Sequence, residues 1–290
     1  MQLAMLRPSC KGGPIAFETR DVTPIIFGIV NITEDSFSDG GRYLDGAKAI
    51  EHARALAADA DVLDLGAAAS NPNAKMVRPQ EEIARLAPVV DDLKQSGRSV
   101  SIDSFAPDVQ RWALNQRVDF LNDIQGFPHA EIYPALAESS ARLIVMHAVQ
   151  RFGRAEKLDV TPEQIIDRIK RFFESRFGAL EKAGIGRERL ILDPGMGFFV
   201  GTNPQTSITV LRNLGALKAA FGVPLLVSVS RKSFLRAVTG REAANAGAAT
   251  LAAEMFAVLQ GADFIRTHDP AALRDTLAVT KALAPAVSLA

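Results

Sequence analysis

Short apolar runs alternate with helix-like segments along most of the chain. The first run, from Phe27 to Val30, ends on Asn31 and opens into a polar loop that closes on Gly40 and Gly41. Such runs, bounded by polar and glycine-containing stretches, are typical of strands. Eight of them are predicted, at 27–31, 61–66, 99–103, 118–121, 142–146, 189–192, 223–229 and 262–265.

The segments between the strands carry apolar residues three and four positions apart, which is the spacing of a helix with one buried face. Thr161 is placed to cap a long helix and Pro162 to begin it. The other helices are predicted at 47–58, 83–97, 107–115, 132–137, 208–220 and 248–259. Nearly continuous apolar strands that alternate with helices indicate a parallel sheet with both faces covered.

Eight strand and helix units predict an α/β fold, and a (β/α)8 TIM barrel is their natural closure. The length of 290 residues would also allow two domains. Because no linker divides the chain, we expect a single barrel domain over 25–290. Residues 1–24 are predicted to form an N-terminal extension with at most a short strand or hairpin, around Ile15 to Phe17.

Charge and cysteine content narrow the class of protein. The chain has 33 Lys and Arg residues against 33 Asp and Glu residues, without a block of like charges, which argues against a nucleic-acid partner. Its one cysteine, Cys10, excludes an internal disulfide framework and a multi-thiolate zinc site. No run reaches the roughly 18 apolar residues that span a bilayer, and the start does not resemble a signal peptide. We therefore expect a cytoplasmic protein without a membrane partner.

Polar side chains stand where the predicted strands end. In (β/α)8 barrels the carboxyl ends of the strands carry the chemistry, so these side chains are expected to meet at one rim. A single strand-end residue is as well explained as a helix cap or an ion-pair partner, whereas seven at one rim indicate a site. They are Asn31, Asp103, Asn122, Asp193, Lys232, Arg266 and His268.

One group of these residues suits a flat heterocycle. Asp103, Asn122 and Asp193 offer two carboxylates and an amide to an amino group and ring N–H donors. Buried carboxylates must then be satisfied by those donors or by Lys232, because an unpaired buried charge is costly. A second interpretation of the same carboxylates is a magnesium or manganese site.

The other group suits an anion. Asn31, Arg266 and His268 can together bind a phosphate, because the guanidinium of arginine can grip phosphate oxygens at two points. His147 and His268 are too isolated in the sequence to indicate zinc. The predicted ligand is therefore a polar ring at one end and a phosphate at the other.

Six stretches of the chain resemble, in order, the motifs of the dihydropteroate synthase family, and within it the sulfonamide-insensitive Sul branch. The similarity covers the chain from about Ile25 to the last helix. Any one stretch is moderately specific, and the six in order are very specific. They are GIVNITEDSFSDGG (28–41), SIDSF (101–105), LNDI (121–124), LDPGMGFF (192–199), SRKSF (230–234) and IRTHD (265–269).

The resemblance implies a transferase that joins 6-hydroxymethyl-7,8-dihydropterin diphosphate to 4-aminobenzoate and releases diphosphate, in folate biosynthesis. It implies that Asp103, Asn122, Asp193 and Lys232 hold the pterin, with Met146 near its ring. Members of the family are usually homodimers, and a homodimer is expected here. Magnesium is the implied cofactor.

The remaining roles are carried over in the same way. Asn31, Arg266 and His268 would hold the diphosphate, with magnesium bound through Asn31. The residues implied to act in catalysis are Asp35, Asp103, Lys232 and Arg266. The residues implied to line or close the 4-aminobenzoate pocket are Asp35, Phe37, Ser70, Pro72, Phe198 and Ser233.

Two departures from the usual family pattern resemble the Sul enzymes. The second loop carries Ser70-Asn71-Pro72-Asn73 in place of a motif with an arginine. After the sixth strand the chain has Gly197-Phe198-Phe199. We hypothesise that this bulkier segment narrows the space that the extra ring of a sulfonamide needs, since a clash can discriminate strongly between ligands.

Two other functions share parts of this pattern. A methyltransferase barrel that takes a methyl group from a folate could use the same pterin pocket, but it has no evident need for the SRKS strand end or the DSFSDGG loop. A pterin-binding protein without activity is the other alternative, against which Lys232, Arg266 and Asp35 argue. Only a synthase would release diphosphate and form dihydropteroate.

Overall fold

The structure is a computed structural model that describes residues 23–33, 46–68, 76–150 and 158–283. The strand or hairpin predicted in the N-terminal extension falls on residues outside these ranges. Eight strands are present: β1 (Ile25–Asn31), β2 (Val62–Gly66), β3 (Ser99–Asp103), β4 (Phe120–Asp123), β5 (Arg142–Met146), β6 (Leu190–Asp193), β7 (Leu226–Val227) and β8 (Phe264–Thr267).

Ten α-helices occupy the described segments between and after the strands, and none of them is long and apolar enough to cross a membrane. They are α1 (Gly46–Leu56), α2 (Pro79–Gln95), α3 (Pro107–Asn115), α4 (Tyr133–Glu138), α5 (Pro162–Lys182), α6 (Pro204–Arg212), α7 (Leu214–Phe221), α8 (Ser233–Thr239), α9 (Gly247–Leu259) and α10 (Pro270–Leu283).

The strands form one parallel sheet in the order β6-β5-β4-β3-β2-β1-β8-β7. Its two edges meet where Leu192 bridges Leu225 and the Leu192 N–H donates to the Pro224 carbonyl at 2.9 Å. The predicted (β/α)8 barrel is therefore confirmed. The predicted strand at 223–229 is too long, because the chain leaves the sheet after β7 and turns, with the Lys232 N–H bonded to the Val229 carbonyl at 3.1 Å.

An apolar layer fills the half of the barrel interior that lies toward the amino-terminal ends of the strands. It takes one residue from each strand except β3: Phe27, Val62, Phe120, Ile144, Ile191, Leu226 and Phe264. The rings of Phe27, Phe120 and Phe264 pack edge to face, with centroids 5.0 to 6.3 Å apart. Beneath them the Arg142 guanidinium lies 5.0 Å from the centroid of Phe264, so the barrel has a closed floor.

The helices differ from prediction in three places. The segment 208–220 contains two helices, α6 and α7, because the chain breaks at Asn213, whose side chain donates to the Thr209 carbonyl at 2.8 Å. Helix α8 was not predicted. Thr161 occupies the cap position of α5 as expected, but its side chain makes no capping hydrogen bond.

Gly28 tests how tightly the strands pack against the outer layer. A methyl group at this position of β1 would lie 2.9 Å from the Ala60 side chain and 3.3 Å from Pro270. We expect Gly28→Ala to lower the free energy of unfolding by about 1–3 kcal/mol, because well-packed cores resist added volume. Urea denaturation of the purified protein measures the change.

Gly178→Ala is the matched control. Gly178 lies inside α5, and an added methyl group there meets nothing within 4 Å. This variant should gain about 0.5–1 kcal/mol from helix propensity alone. If Gly28→Ala leaves the free energy of unfolding unchanged or raises it as Gly178→Ala does, close packing at Gly28 is refuted.

Candidate active site

A polar layer lies directly above the apolar floor. Side chains alternate between the two faces of a strand, so the residue two positions after a floor residue also points into the barrel. Applied to the floor residues, this rule gives the next inward positions toward the carboxyl ends of their strands. They are Ile29, Asp64, Asn122, Met146, Asp193, Ser228 and Arg266.

Five of these side chains line one cavity at the carboxyl ends of the strands: Asn122, Met146, Asp193, Ser228 and Arg266. The cavity is narrow and mostly polar in its lining, with an apolar part formed by Ile124, Met146 and Phe199. Six residues predicted for the site meet there, contributed by β3, β4, β5, β6, β8 and the turn after β7. The full lining is Asp103, Asn122, Ile124, Met146, Asp193, Gly195, Met196, Phe199, Ser228, Lys232 and Arg266.

Arg266 is held between two carboxylates inside the barrel. Its Nε donates to Asp64 Oδ2 at 2.5 Å and its Nη2 to Asp103 Oδ2 at 2.7 Å. The sequence grouped Arg266 with the anion-binding residues Asn31 and His268. In the structure it is also the counter-ion of the carboxylates in the heterocycle group.

Asp64 is not among the site residues predicted from the sequence. Its side chain is fully buried, and its Oδ1 has no hydrogen-bond partner among the described residues. Only strand ends were considered as site positions, and Asp64 lies in the middle of β2. The signal that could have found it is the alternation from Val62, which places the carboxylate on the inner face.

Burial sets the protonation of the cavity. Burial raises the pKa of Asp193 to about 6. Burial also raises the pKa of Asp103; the charge of Arg266 opposes this shift, and the charges of Asp64 and Glu82 add to it. Burial and the neighbouring Arg266 charge lower the pKa of Lys232 to about 8. Near neutral pH these groups can therefore gain or lose a proton at a small cost in free energy. The cavity can in this way match its hydrogen-bond donors and acceptors to those of a neutral ligand.

The loop after β6 is fixed against the end of β5. The His147 N–H donates to the Asp193 carbonyl at 2.8 Å, and its ring Nδ1 lies 3.1 Å from the Pro194 carbonyl, which can only accept. Gly195 has φ +74°, and a methyl group there would lie 2.3 Å from the His147 carbonyl oxygen. Burial lowers the pKa of His147 to about 4, so a neutral ring serves as the clamp.

The same loop packs against the turn after β7. A methyl group on Gly197 would lie 3.2 Å from Ser233 Oγ, and Lys232 Nζ lies 5.3 Å from the centroid of the Phe199 ring. Phe199 is buried, whereas Phe198 is only partly buried beside it. The two adjacent phenylalanines therefore occupy different environments.

The remaining predicted site residues lie nearer solvent or outside the described ranges. Asn31 is exposed at the end of β1, and His268 follows β8 with its ring beside Ser230. The described residues contain no group of three or more His, Cys, Asp or Glu side chains that could hold a metal ion. The predicted site residues outside the described part of the chain are Asp35, Phe37, Ser70 and Pro72.

Comparison with known proteins identifies the class to which this barrel and cavity belong. The family model described as pterin binding enzyme matches residues 27–268, so the chain belongs to that family. It is 58% identical over 260 residues to dihydropteroate synthase type-2 of Escherichia coli, covering 89% of this chain and 96% of that protein. It is 55% identical over 259 residues to the type-3 enzyme of the same organism, covering 89% and 98%.

Solved structures agree with the sequence relatives. Dihydropteroate synthase of Xanthomonas albilineans with 4-aminobenzoic acid is 35% identical, with a TM-score of 0.80 over 89% of this chain and 92% of that one. The same enzyme in complex with 7,8-dihydropteroate is 34% identical, with a TM-score of 0.77 over 89% and 93%. Within the pterin-binding enzymes, the chain belongs to the dihydropteroate synthases of the type-1 to type-3 branch, and the resemblance inferred from its motifs is confirmed.

Asp64→Asn tests the ion pair at the centre of the site. The change removes one of the two carboxylates that hold Arg266 and leaves the other. We expect the free energy of unfolding to fall by about 1–3 kcal/mol, since a buried hydrogen-bonded charge loses a partner. Removing the Asp64 charge should also lower the pKa of Asp103, which carboxyl-carbon NMR titration can follow.

Glu181→Gln removes a carboxylate from an arginine pair at the surface, where Arg187 Nη1 lies 2.6 Å from Glu181 Oε1. The change in unfolding free energy there should stay below about 1 kcal/mol, because solvent screens the pair. Equal losses of unfolding free energy in Asp64→Asn and Glu181→Gln would show that the buried ion pair contributes no more to stability than the exposed one.

Proposed function

We propose that the cavity binds 6-hydroxymethyl-7,8-dihydropterin diphosphate and joins it to 4-aminobenzoate, giving 7,8-dihydropteroate and diphosphate. The observation that carries the assignment is a set of buried acceptor atoms without protein partners in the described structure. Asn122 Oδ1 and Ser228 Oγ belong to residues that line the cavity, and Asp64 Oδ1 belongs to the carboxylate that binds Arg266. Since buried polar atoms are rarely left unpaired, a ligand with several N–H donors is the natural partner.

The pterin ring meets these needs. Its amino group and ring N–H donors match Asn122 and the carboxylates of Asp103 and Asp193, while Lys232 can donate to a ring acceptor. Met146, with Ile124 and Phe199, supplies an apolar wall for the faces of the ring. The edge of the pterin ring thus forms hydrogen bonds with the polar atoms of the cavity, and its faces pack against the apolar side chains.

The charged tail lies toward the mouth of the barrel in this arrangement. Asn31 and His268 are placed to contact the diphosphate there, and Arg266 lies on the pterin side of it. The cavity and its surroundings already have more carboxylates than cations. The carboxylates are those of Asp64, Asp103 and Asp193, and the cations are Arg266 and Lys232. A further anion therefore needs additional positive charge.

Magnesium fits this need. The ion commonly takes one or two protein oxygens and completes its shell with water and substrate phosphates, so the amide oxygen of Asn31 suffices as the ligand from the described residues. When bound, magnesium would neutralise charge that develops on the departing diphosphate. The finding that the described residues hold no cluster of three metal-binding side chains is compatible with such a site.

In the reaction, the bond between the pterin methylene and diphosphate breaks, and its electron pair leaves with the diphosphate. Asp103, and Asp35 on the first loop, stabilise the cation left on the methylene. The amine nitrogen of 4-aminobenzoate then forms the new C–N bond and loses a proton. Ser233 and Phe198 border the aminobenzoate side, with Ser70 and Pro72 from the second loop and Phe37 from the first.

Incubation of the purified protein with pterin diphosphate, 4-aminobenzoate and magnesium tests the function directly. Diphosphate and dihydropteroate should form in equal amounts, and Lys232→Met should lower kcat/KM by at least about a hundredfold because the pterin loses a buried charged partner. Pterin binding without diphosphate release would contradict the proposal. We also propose that the enzyme acts as a homodimer.

We propose that the enzyme is insensitive to sulfonamides and that Phe198 causes this by occupying the space of the drug's extra ring. Phe199 lines the cavity beside Lys232, whereas Phe198 packs against the same cluster and is only partly buried. Phe198→Gly should therefore lower the inhibition constant of sulfamethoxazole by at least about tenfold, with little change in the KM for 4-aminobenzoate. Phe198→Leu, which keeps most of the volume, should remain close to wild type. Equal inhibition constants in all three proteins would refute the role.

A further inference from the structure

Ser230 connects two segments of the site, and none of the roles described so far involves it. Its hydroxyl oxygen lies 2.9 Å from His268 Nδ1 and accepts the backbone N–H of His268 at 3.3 Å. The residue is 3% exposed, so water does not compete for these contacts. A buried hydroxyl thus bonds to both the ring and the backbone of one histidine.

The single proton of this hydroxyl decides the state of the histidine ring. If Nδ1 carried a proton, it would donate to Ser230 Oγ, and the hydroxyl proton would need another acceptor. Within the described structure Ser230 Oγ has no partner other than His268. A buried donor without an acceptor is unfavourable, so the hydroxyl donates to an unprotonated Nδ1.

The surroundings keep the ring neutral. Burial lowers the pKa of His268 to about 3, and the nearby charges of Arg231, Arg266 and Lys232 act in the same direction. A neutral ring that accepts at Nδ1 carries its one proton at Nε2. Among the described residues Nε2 has no hydrogen-bond partner.

We propose that Ser230 is a positioning residue that holds His268 in the tautomer protonated at Nε2, so that a neutral N–H is offered to the diphosphate of the substrate. The identity of the anion rests on the proposed function, whereas the tautomer does not. The opposite tautomer would direct a lone pair at the same phosphate oxygens. His268 therefore acts as an uncharged donor beside the cationic Arg266.

The turn that carries Ser230 is held from outside the barrel. Arg231 adopts a left-handed conformation with φ +59°, and its N–H donates to Thr250 Oγ1 of α9 at 3.2 Å. The turn closes between Val229 and Lys232. One turn thus fixes the hydroxyl that orients His268 and the ammonium group that lines the pterin pocket.

Nitrogen NMR of protein labelled in its histidine rings tests the tautomer without any substrate. The chain has four histidines, and His268→Gln assigns the relevant signals. We expect a protonated Nε2 and an unprotonated Nδ1 in the wild type and in Ser230→Thr, which keeps the hydroxyl. Ser230→Val has the same shape as the threonine variant, and Ser230→Ala is smaller; both should lose the preference. A protonated Nδ1 in the wild type, or an unchanged tautomer in Ser230→Ala, would overturn the inference.

Titration calorimetry with inorganic diphosphate and magnesium tests the consequence. Ser230→Ala should bind diphosphate about three- to tenfold more weakly than wild type, as expected for one disturbed hydrogen bond, while the KM for 4-aminobenzoate stays unchanged. Equal affinity in both proteins would overturn the positioning role. If the tautomer is as expected but the wild type binds no diphosphate, the proposed function fails and the tautomer assignment stands.

Discussion

The guanidinium of Arg266, bonded to Asp64 and Asp103, makes the interior of this barrel possible. Each carboxylate alone would be a buried charge, which is among the least favourable arrangements in a protein. The arginine comes from β8 and its partners from β2 and β3, so the ion pairs reach across β1 inside the barrel. A cation proposed to bind substrate is thus first a component of the folded structure, so a change at Arg266 would affect both the site and the fold.

The loop after β6 and the turn after β7 form a second, interlocked part of the site. Gly195 lies against the His147 carbonyl, and Gly197 lies against the residues that begin α8. Two adjacent aromatic residues consequently have different tasks. Phe199 packs against Lys232 and is proposed to contact the pterin, while Phe198 is only partly buried and is proposed to distinguish the second substrate from the drugs that resemble it.

Strand positions and strand-end residues could be predicted from the sequence because alternation of apolar runs with helices is a local signal. The pairing of Arg266 with Asp64 could not, because it depends on which strands become neighbours when the sheet closes. Asp64 itself was within reach, since it follows Val62 by two positions in a short strand. The length of β7 depends on the contacts that the chain makes around Pro224, and the break at Asn213 depends on a local side-chain hydrogen bond. The periodicity of apolar residues reveals neither.

The contact between Ser230 and His268 likewise could not be predicted from the sequence. As part of a motif Ser230 is conspicuous, but its contact is with a histidine 38 positions away, just after the neighbouring strand β8. A hydroxyl in a turn has many local uses, such as bonding to its own backbone. Only the packed structure shows that this one bonds instead to an imidazole.

The aromatic floor above Arg142 closes the barrel interior on the side away from the carboxyl ends of the strands. A molecule lying on the floor can reach its place only before another occupies the opening, and can depart only after the opening is clear. Under the proposed function the pterin would lie innermost, so we expect the heterocycle to bind before the aromatic amine and the diphosphate to depart before the joined product.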